Sequence, residues 1–420
     1  MQLTQTTPAI AMAAALAAPA AFAETTAGDA IKAALKPASN WEGSLIVEGI
    51  YFDRSTDTEL HVEGMPSGGH GHGFKEGLHA GHNEVVVSGN LTDKLKARVT
   101  TAITEADEDT DSNEPEVELE EAFVETQGLG HGVSVKAGRF FSDVGYLSSK
   151  HNHEWDFVDT PLVYKGMFGT HTNDDGVQLS YVAPTDQFVQ VGTELFAGEK
   201  FPSGKTDSSL SAATLYAKTG GDIGTDHSWQ AGIGHWQANG IRDRSSEAHN
   251  HGGGAPTETP RFSGDSKINT INATYKWAPN GNARERNLKL QAEYFRRNES
   301  GTVDMVEADG TVAETTGYNG KQSGWYTQAV YQFRPHWRVG VRHDRLKIDN
   351  SGDDGDVLEE AGLHSEGHTP KRNSLMVDYT PREYSRLRLQ FNEDKSTPET
   401  DKQVMLQYIH SFGSHGAHGF

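Results

Sequence analysis

Apolar and polar residues alternate along about sixteen short segments of this chain. In segment 385–394, Leu387, Leu389 and Phe391 alternate with arginine, glutamine and asparagine residues. A period of two predicts β-strands with one apolar and one polar face. We predict sixteen strands, at about 45–54, 84–92, 95–104, 116–127, 132–140, 174–183, 187–197, 210–219, 228–238, 265–277, 287–296, 322–333, 336–347, 372–381, 385–394 and 402–412.

One predicted strand breaks this alternation. In segment 116–127, Glu121 falls on the same face as Val117, Leu119 and Phe123. A β-bulge, which is one extra residue in a strand, would repair the pattern, but the sequence alone does not reveal one.

The connections between the predicted strands alternate in length. Short turns such as 92–94 and 128–130 lie on one side, and loops 239–264, 297–321 and 348–371 lie on the other. Short periplasmic turns, longer outer loops and an even strand count are typical of outer-membrane barrels. A soluble sandwich would show the same alternation. The signal-peptide-like start, the rhythm of sixteen strands and the last strand favour a barrel. We therefore expect an all-β fold, a transmembrane antiparallel up-and-down β-barrel of about 16 strands whose long third loop folds into the lumen.

Both ends of the chain fit export to an outer membrane. Residues 1–23 resemble a signal peptide cleaved after Ala23, although the segment lacks lysine and arginine; a short buried helix is the alternative. Residues 24–43 would form a periplasmic lead-in, and residues 44–420 the barrel. The last strand ends in Phe412 and the chain in Phe420, a pattern that the barrel-assembly machinery reads.

The amino-acid composition argues against several classes of protein. The 420 residues include no cysteine, and after residue 25 no run of 18 apolar residues occurs, which excludes a helical membrane protein. The absence of cysteine fits an oxidising periplasm. The net charge of −22 argues against nucleic-acid binding and suits cations. We therefore expect a chain in the bacterial outer membrane, with lipid as its partner.

The third loop, 141–173, is the leading candidate for a constriction. A connection of this length without regular structure is usually functional. Its aromatic and charged residues would line the pore: Asp143, Tyr146, His151, His153, Glu154, Trp155 and Asp156. Alternatively, the aromatic residues simply pack the loop against the wall, and the histidines fill polar gaps.

Charged residues on the inferred inner face form a second candidate site. The basic residues are Lys96, Arg98, Lys136, Arg338, Arg342, Arg386 and Arg388, and the acidic ones are Glu116, Glu118 and Glu194. Opposed charges would create a transverse field that selects and orients solutes. The alternative is ordinary solvation of the lumen.

Histidines in the loops suggest weak capture of metal. His70, His72, His79 and His82 lie in a glycine-rich first loop, and His151 and His153 lie in the third. Imidazole is a good zinc ligand, and His/Gly tracts are typical of metal binding. The irregular spacing argues against a fixed structural zinc, so no obligatory cofactor is expected. A flexible loop without affinity is the alternative.

Several segments resemble a known family. Residues 138–146, 151–157, 161–164 and 175–179, together with the tail HGAHGF, are similar to porin-like outer-membrane proteins of proteobacteria associated with zinc uptake. These are often labelled zinc-regulated or TonB-dependent receptors. A 22-stranded receptor with its plug would need more than about 500 residues, so we expect an unplugged channel.

The resemblance implies a porin-like channel for small solutes, linked to zinc or other divalent cations. By analogy with porin-like barrels, we also expect the chain to form a homotrimer. The alternatives are a surface barrel that captures metal with a closed lumen, and an outer-membrane hydrolase. The chain lacks Gly-x-Ser-x-Gly and His-Glu-x-x-His motifs, so we do not expect an enzyme.

Overall fold

The computed structural model describes residues 41–57, 61–66, 68, 74, 76–105, 115–206, 210–245, 258–365, 367–382 and 384–413. The predicted signal peptide, most of the periplasmic lead-in and the tail after residue 413 lie outside the described residues. No helix in the described ranges is both long and apolar enough to span a membrane.

Sixteen long strands form a closed antiparallel barrel, and two short strands, β2 and β9, lie at its rim. β1 closes the wall by pairing with β18 on one side, from Ser44–Gly413 to Arg54–Gln403, and with β3 on the other. The strands are β1 (Trp41–Arg54), β2 (Gly77–Ala80), β3 (Asn83–Thr92), β4 (Leu95–Thr104), β5 (Glu116–Thr126), β6 (Val133–Phe141), β7 (Asn173–Val182), β8 (Phe188–Phe196), β9 (Lys205–Thr206), β10 (Ala212–Ile223), β11 (His227–Ser245), β12 (Glu258–Trp277), β13 (Asn287–Glu307), β14 (Val312–Arg334), β15 (Trp337–Gly352), β16 (Lys371–Arg382), β17 (Ser385–Lys395) and β18 (Asp401–Gly413).

Four short helical segments lie in the connections that the structure describes. Two are α-helices, α1 (Leu162–Phe168) in the third loop and α2 (Gly355–Glu360) after β15; the other two are 3-10 turns, Asn152–Glu154 and Pro279–Gly281.

The sixteen predicted strands are confirmed, but several predicted loops were wrong. β13 and β14 continue pairing as far as Val306–Val312, so most of the predicted loop 297–321 is a hairpin. β11 and β12 likewise extend into segment 239–264, and α2 lies within 348–371. β13 and β14 have 21 and 23 residues, whereas a barrel strand crosses a bilayer in about 9–11. Beyond the lipid the outer face need not be apolar, so the alternation disappears while the backbone pairing continues.

Strand β5 contains the bulge that its sequence requires. Thr100 pairs with Glu121, and the next residue, Thr101, pairs with Leu119, so Glu120 is the extra residue. Both Glu120 and Glu121 are buried, at 3% and 7% exposure. The bulge therefore turns two consecutive carboxylates towards the inside of the barrel.

Side-chain exposure shows which face of the wall is apolar. On β17, Leu387, Leu389 and Phe391 are 43%, 37% and 45% exposed, whereas Arg388 and Gln390 between them are fully buried. The apolar outer band is therefore the surface that lipid would cover.

The third loop lies against the inner face of the wall. Residues of α1 pack on inward-facing residues of β13, β14 and β15, and the Tyr164 and Phe295 rings meet at 5.0 Å. The inner face is therefore not uniformly polar, because the loop needs an apolar base on which to pack. The cluster includes Val163, Tyr164, Phe168, Phe295, Tyr326 and Leu346.

The wall is weakly paired where the third loop leaves it. Only four residue pairs join β5 to β6, from Ala122–Arg139 to Glu125–Lys136. Above them, the side chains of Arg139 and Asn173 donate hydrogen bonds to the carbonyls of Leu119 and Glu120, at 3.4 and 3.0 Å. Side chains thus replace part of the missing strand pairing.

Candidate functional site

Acidic residues of the third loop are paired with basic residues of the wall. Asp156 lies 2.9 Å from Nη1 of Arg338 and 2.9 Å from Nζ of Lys289. Asp159 lies 2.8 Å from Nη2 of Arg342 and 3.0 Å from Nη1 of Arg372. The wall strands β13, β15 and β16 therefore hold one side of the loop through ion pairs.

The other two predicted arginines hold the backbone of the same loop. Nη1 of Arg386 and Nη2 of Arg388 both donate to the carbonyl of Trp155, at 3.0 and 2.9 Å. Arg386 also donates to the carbonyl of His153, at 2.7 Å. Arg338, Arg342, Arg386 and Arg388 thus face inward, where all four bind the third loop.

The opposite side of the loop contacts a group that we call the His/Glu cluster. It consists of His82, which precedes β3; Glu84 of β3; Glu120 and Glu121 of the β5 bulge; and His151 and His153 of the third loop. Glu84 and Glu120 are 0% and 3% exposed, and His151 is 3% exposed. The loop therefore joins a basic wall to an acidic one, with its carboxylates facing the first and its imidazoles facing the second.

Short contacts connect the members of the His/Glu cluster. Nε2 of His82 lies 3.0 Å from Oε1 of Glu120, and Nδ1 of His153 lies 3.0 Å from Oε1 of Glu84. Nε2 of His151 lies 2.9 Å from Oε2 of Glu121. Three histidines of the predicted metal set are thus brought together.

His79, another predicted metal ligand, lies outside the His/Glu cluster. His79 stacks on Phe74, with ring centroids 6.2 Å apart. His70 and His72 lie outside the described residues.

The pKa values of His82 and Asp143, which both lie in loops, are shifted by their charged neighbours. Burial lowers the pKa of His82, but the neighbouring carboxylates, Glu120 above all, outweigh burial and raise the pKa to about 9. Burial raises the pKa of Asp143, but Lys218 and Lys136 outweigh it and lower the pKa to about 2. Without a bound metal, both groups are therefore charged at neutral pH.

The other predicted constriction residues have ordinary partners. Asp143 lies 2.6 Å from Nζ of Lys218. The backbone N–H of Tyr146 donates to Glu293 at 2.7 Å, and Glu154 lies 3.9 Å from Lys150. Nε1 of Trp155 donates to the carbonyl of Lys150.

The remaining predicted lumen charges do not form one wall. Arg98 contacts Glu121 at 3.0 Å, Lys96 is half-buried, and Lys136 lies over the Phe123 and Phe140 rings. Glu194 is fully buried and accepts from Ser142 at 2.6 Å. Glu116 and Glu118 line a cavity of about 540 Å³, where Glu118 pairs with Lys200.

Sequence reasoning missed several residues that complete these contacts. Glu84 and Glu120 stand in strands whose register decides which loop they meet, so spacing along the chain gives no signal for their pairing. Inward-facing Lys289 and Arg372 lie on the polar faces of predicted strands and were accessible to the same reasoning as Arg338. The missed residues are Glu84, Asp159, Lys289, Glu293, Arg372 and Asp378, whereas Glu120 was expected as an acidic lumen residue and only its partners were missed.

Comparison with known proteins shows the fold of this chain. No family model matches it. An uncharacterised protein of Aquifex aeolicus (strain VF5) is 27% identical over 411 residues, which cover 90% of this chain and 79% of that protein.

Three solved structures have similar folds, and each covers 89% of this chain. An anion-selective porin from Comamonas acidovorans has a TM-score of 0.51 at 12% identity over 99% of its length. The outer membrane channel DcaP of Acinetobacter baumannii has a TM-score of 0.50 at 12% identity over 96%. The trimer form of OmpT, an outer membrane protein of Vibrio cholerae, has a TM-score of 0.50 at 11% identity over 98%.

These likenesses show a shared porin-like barrel fold. Together with the apolar outer band, the closed barrel supports a location in a bacterial outer membrane, because a lipid-facing sheet must pair all its edges.

Proposed function

We propose that this chain is an outer-membrane channel of the porin type, narrowed by its third loop, that passes small solutes and favours zinc or other divalent cations. The observation that carries the proposal is a sixteen-strand barrel whose loop is held inside by ion pairs and hydrogen bonds on opposite walls. Such contacts narrow a lumen and place fixed charges beside any passing ion.

A second candidate is a surface barrel that captures metal while its lumen stays closed. The packed apolar cluster between α1 and strands β13, β14 and β15 favours this alternative, because a dry centre resists the passage of ions. In a conductance measurement, the channel predicts current steps and the closed barrel predicts none.

The partners follow from the same proposal. Lipid would cover the apolar outer band, and β18 would be read by the barrel-assembly machinery. The trimer form of one similar porin-like structure suggests a homotrimer here. The link to zinc uptake rests on the resemblance of the third loop to zinc-associated porin-like proteins.

Conductance in planar bilayers with the purified full chain tests the proposal. We expect discrete steps, and a reversal potential in a zinc chloride gradient that shows cation preference. A variant lacking residues 66–76 keeps β2 and His82 and should conduct like the parent. A folded barrel that never produces steps would exclude the channel and leave the closed barrel. Growth and zinc accumulation of a deletion strain under zinc limitation test the link to zinc.

A further inference from the structure

We infer that the His/Glu cluster binds a divalent transition metal of the zinc class. His82, Glu84 and Glu120 would be the ligands, and His151 faces the same two carboxylates from the third loop. Among the described residues, these first three offer donor atoms within 4.8 Å of one another. A role in cation uptake rests on the proposed channel, whereas metal binding itself does not require conduction.

The distances between donor atoms fit a small ion. Zinc binds nitrogen and oxygen at about 2.0–2.1 Å, so tetrahedral ligands stand about 3.3 Å apart. Nε2 of His82 lies 3.0 Å from Oε1 of Glu120 and 3.8 Å from Oε1 of Glu84. On the other side, Nδ1 of His151 lies 3.3 Å from Oε2 of Glu84 and 3.4 Å from Oε2 of Glu120.

Several of these donor atoms make no hydrogen bond although they are buried. They face one another at contact distance without acceptable hydrogen-bond geometry: Nε2 of His82, Oε2 of Glu84, Oε2 of Glu120 and Nδ1 of His151. Leaving one buried polar atom unsatisfied costs about 1–3 kcal/mol, and native proteins rarely leave four together. A metal ion among them would satisfy several at once.

Surrounding groups hold the His151 imidazole and the backbone of His82 in place. Oε2 of Glu121 lies 2.9 Å and Nη2 of Arg98 lies 3.1 Å from Nε2 of His151, so in the Nε2–H tautomer the carboxylate accepts a hydrogen bond from this nitrogen and Nδ1 is free as a ligand. A carboxylate behind a ligating histidine is a common arrangement in metal sites. The backbone N–H of His82 donates to Oε2 of Glu48 at 2.5 Å, which fixes the loop that carries His82.

The local charge also favours a cation. Four carboxylates, those of Glu48, Glu84, Glu120 and Glu121, converge on a buried region. Besides the imidazoles of the cluster, the basic group beside them is the guanidinium of Arg98. Buried charges are normally paired or bound to metal, because desolvation alone is too costly. Histidine and carboxylate ligands together suit zinc better than calcium or magnesium, which prefer oxygen ligands only.

The first test is zinc binding by the full chain, refolded in detergent and stripped with a chelator. We expect one zinc per chain after gel filtration, and isothermal titration should show that Glu120→Gln weakens binding at least about tenfold. Two control variants lie outside the cluster: His79→Gln in β2, and Glu118→Gln on β5, the strand that carries Glu120. Both should bind zinc like the parent. Equal affinity of Glu120→Gln and the parent would overturn the site.

The second test starts from the parent protein, so a folding defect in the Glu120 variant does not affect it, and a His70→Gln/His72→Gln control then tests the first loop. X-ray absorption at the zinc edge of the parent protein should show nitrogen and oxygen ligands at about 2.0–2.1 Å with imidazole scattering. A zinc-free parent, or zinc that His70→Gln/His72→Gln removes, would refute the site and leave a network of ion pairs. Both measurements are independent of conductance, so failure of the channel proposal would not affect them.

Discussion

At the scale of single residues, arginines on the inner face of the barrel hold the third loop by its carboxylates and its carbonyls. The alternation on β15 and β17 is enough to place Arg338, Arg342 and Arg388 on the inner face. Arg342 and its partner Asp159 are 183 residues apart in the sequence, so no local pattern predicts their contact. Glu120 is a sharper case, because a one-residue bulge decides whether it faces lipid or the His/Glu cluster.

Removing one buried guanidinium should destabilise the barrel. Arg342 contacts Asp159 at 2.8 Å and Asp344 at 2.9 Å. We expect Arg342→Met to lower the free energy of unfolding by about 3 kcal/mol, because the buried carboxylates of Asp159 and Asp344 then share Arg372 alone, at 3.0 and 3.9 Å. Urea unfolding in detergent measures the change. Arg345→Met, on the same strand but exposed, should change stability by less than about 0.5 kcal/mol. Equal midpoints for the two variants would contradict the assignment.

At the scale of elements, the third loop was recognisable by its length but not by its attachment. Aromatic and charged residues in one long connection predict a functional loop. The attachment required the apolar base formed by β13, β14 and β15 and the two charged walls, which come from strands on opposite sides of the barrel. The two alternatives for this loop, packing by its aromatic residues and contacts by its charged ones, occur together.

Neutralising the acidic side of the loop should loosen it. In the double variant Asp156→Asn/Asp159→Asn, the loop loses its ion pairs to Lys289, Arg338, Arg342 and Arg372. We expect a larger mean conductance and more current fluctuation in planar bilayers, because the loop samples positions away from the wall. Asp186→Asn, in an exposed turn at the opposite rim, should leave the current unchanged. A current identical in both variants would show that these ion pairs do not position the loop.

At the scale of the whole molecule, the strand count and order followed from the sequence because every crossing must present apolar residues to lipid. The lengths of β11 to β15 did not, because their outer parts stand in water and obey no such requirement. At about 3.4 Å per residue, the 23 residues of β14 span about 80 Å, more than twice the hydrocarbon thickness. Closure of the sheet between β1 and β18 was implied by the even strand count and is present in the structure.

Closure depends on the last strand, which pairs with β1 over eleven positions from Ser44 to Arg54. A chain ending at Thr400 would lack β18 and leave two open edges, so we expect no compact, heat-modifiable band on a cold denaturing gel. A chain ending at Gly413 retains the full β1–β18 pairing and should refold in detergent like the parent. Refolding of the shorter chain to a protease-resistant form would argue against closure through β18.

The short ladder between β5 and β6 has a mechanical consequence. β5 and β6 share four residue pairs, whereas β1 and β18 share eleven. We therefore expect local opening of the barrel wall to begin at this seam between β5 and β6. Backbone amides of 116–121 should therefore exchange with deuterium sooner than those of 44–54. Because the third loop departs at this seam, any swelling of the barrel would begin where the loop is rooted.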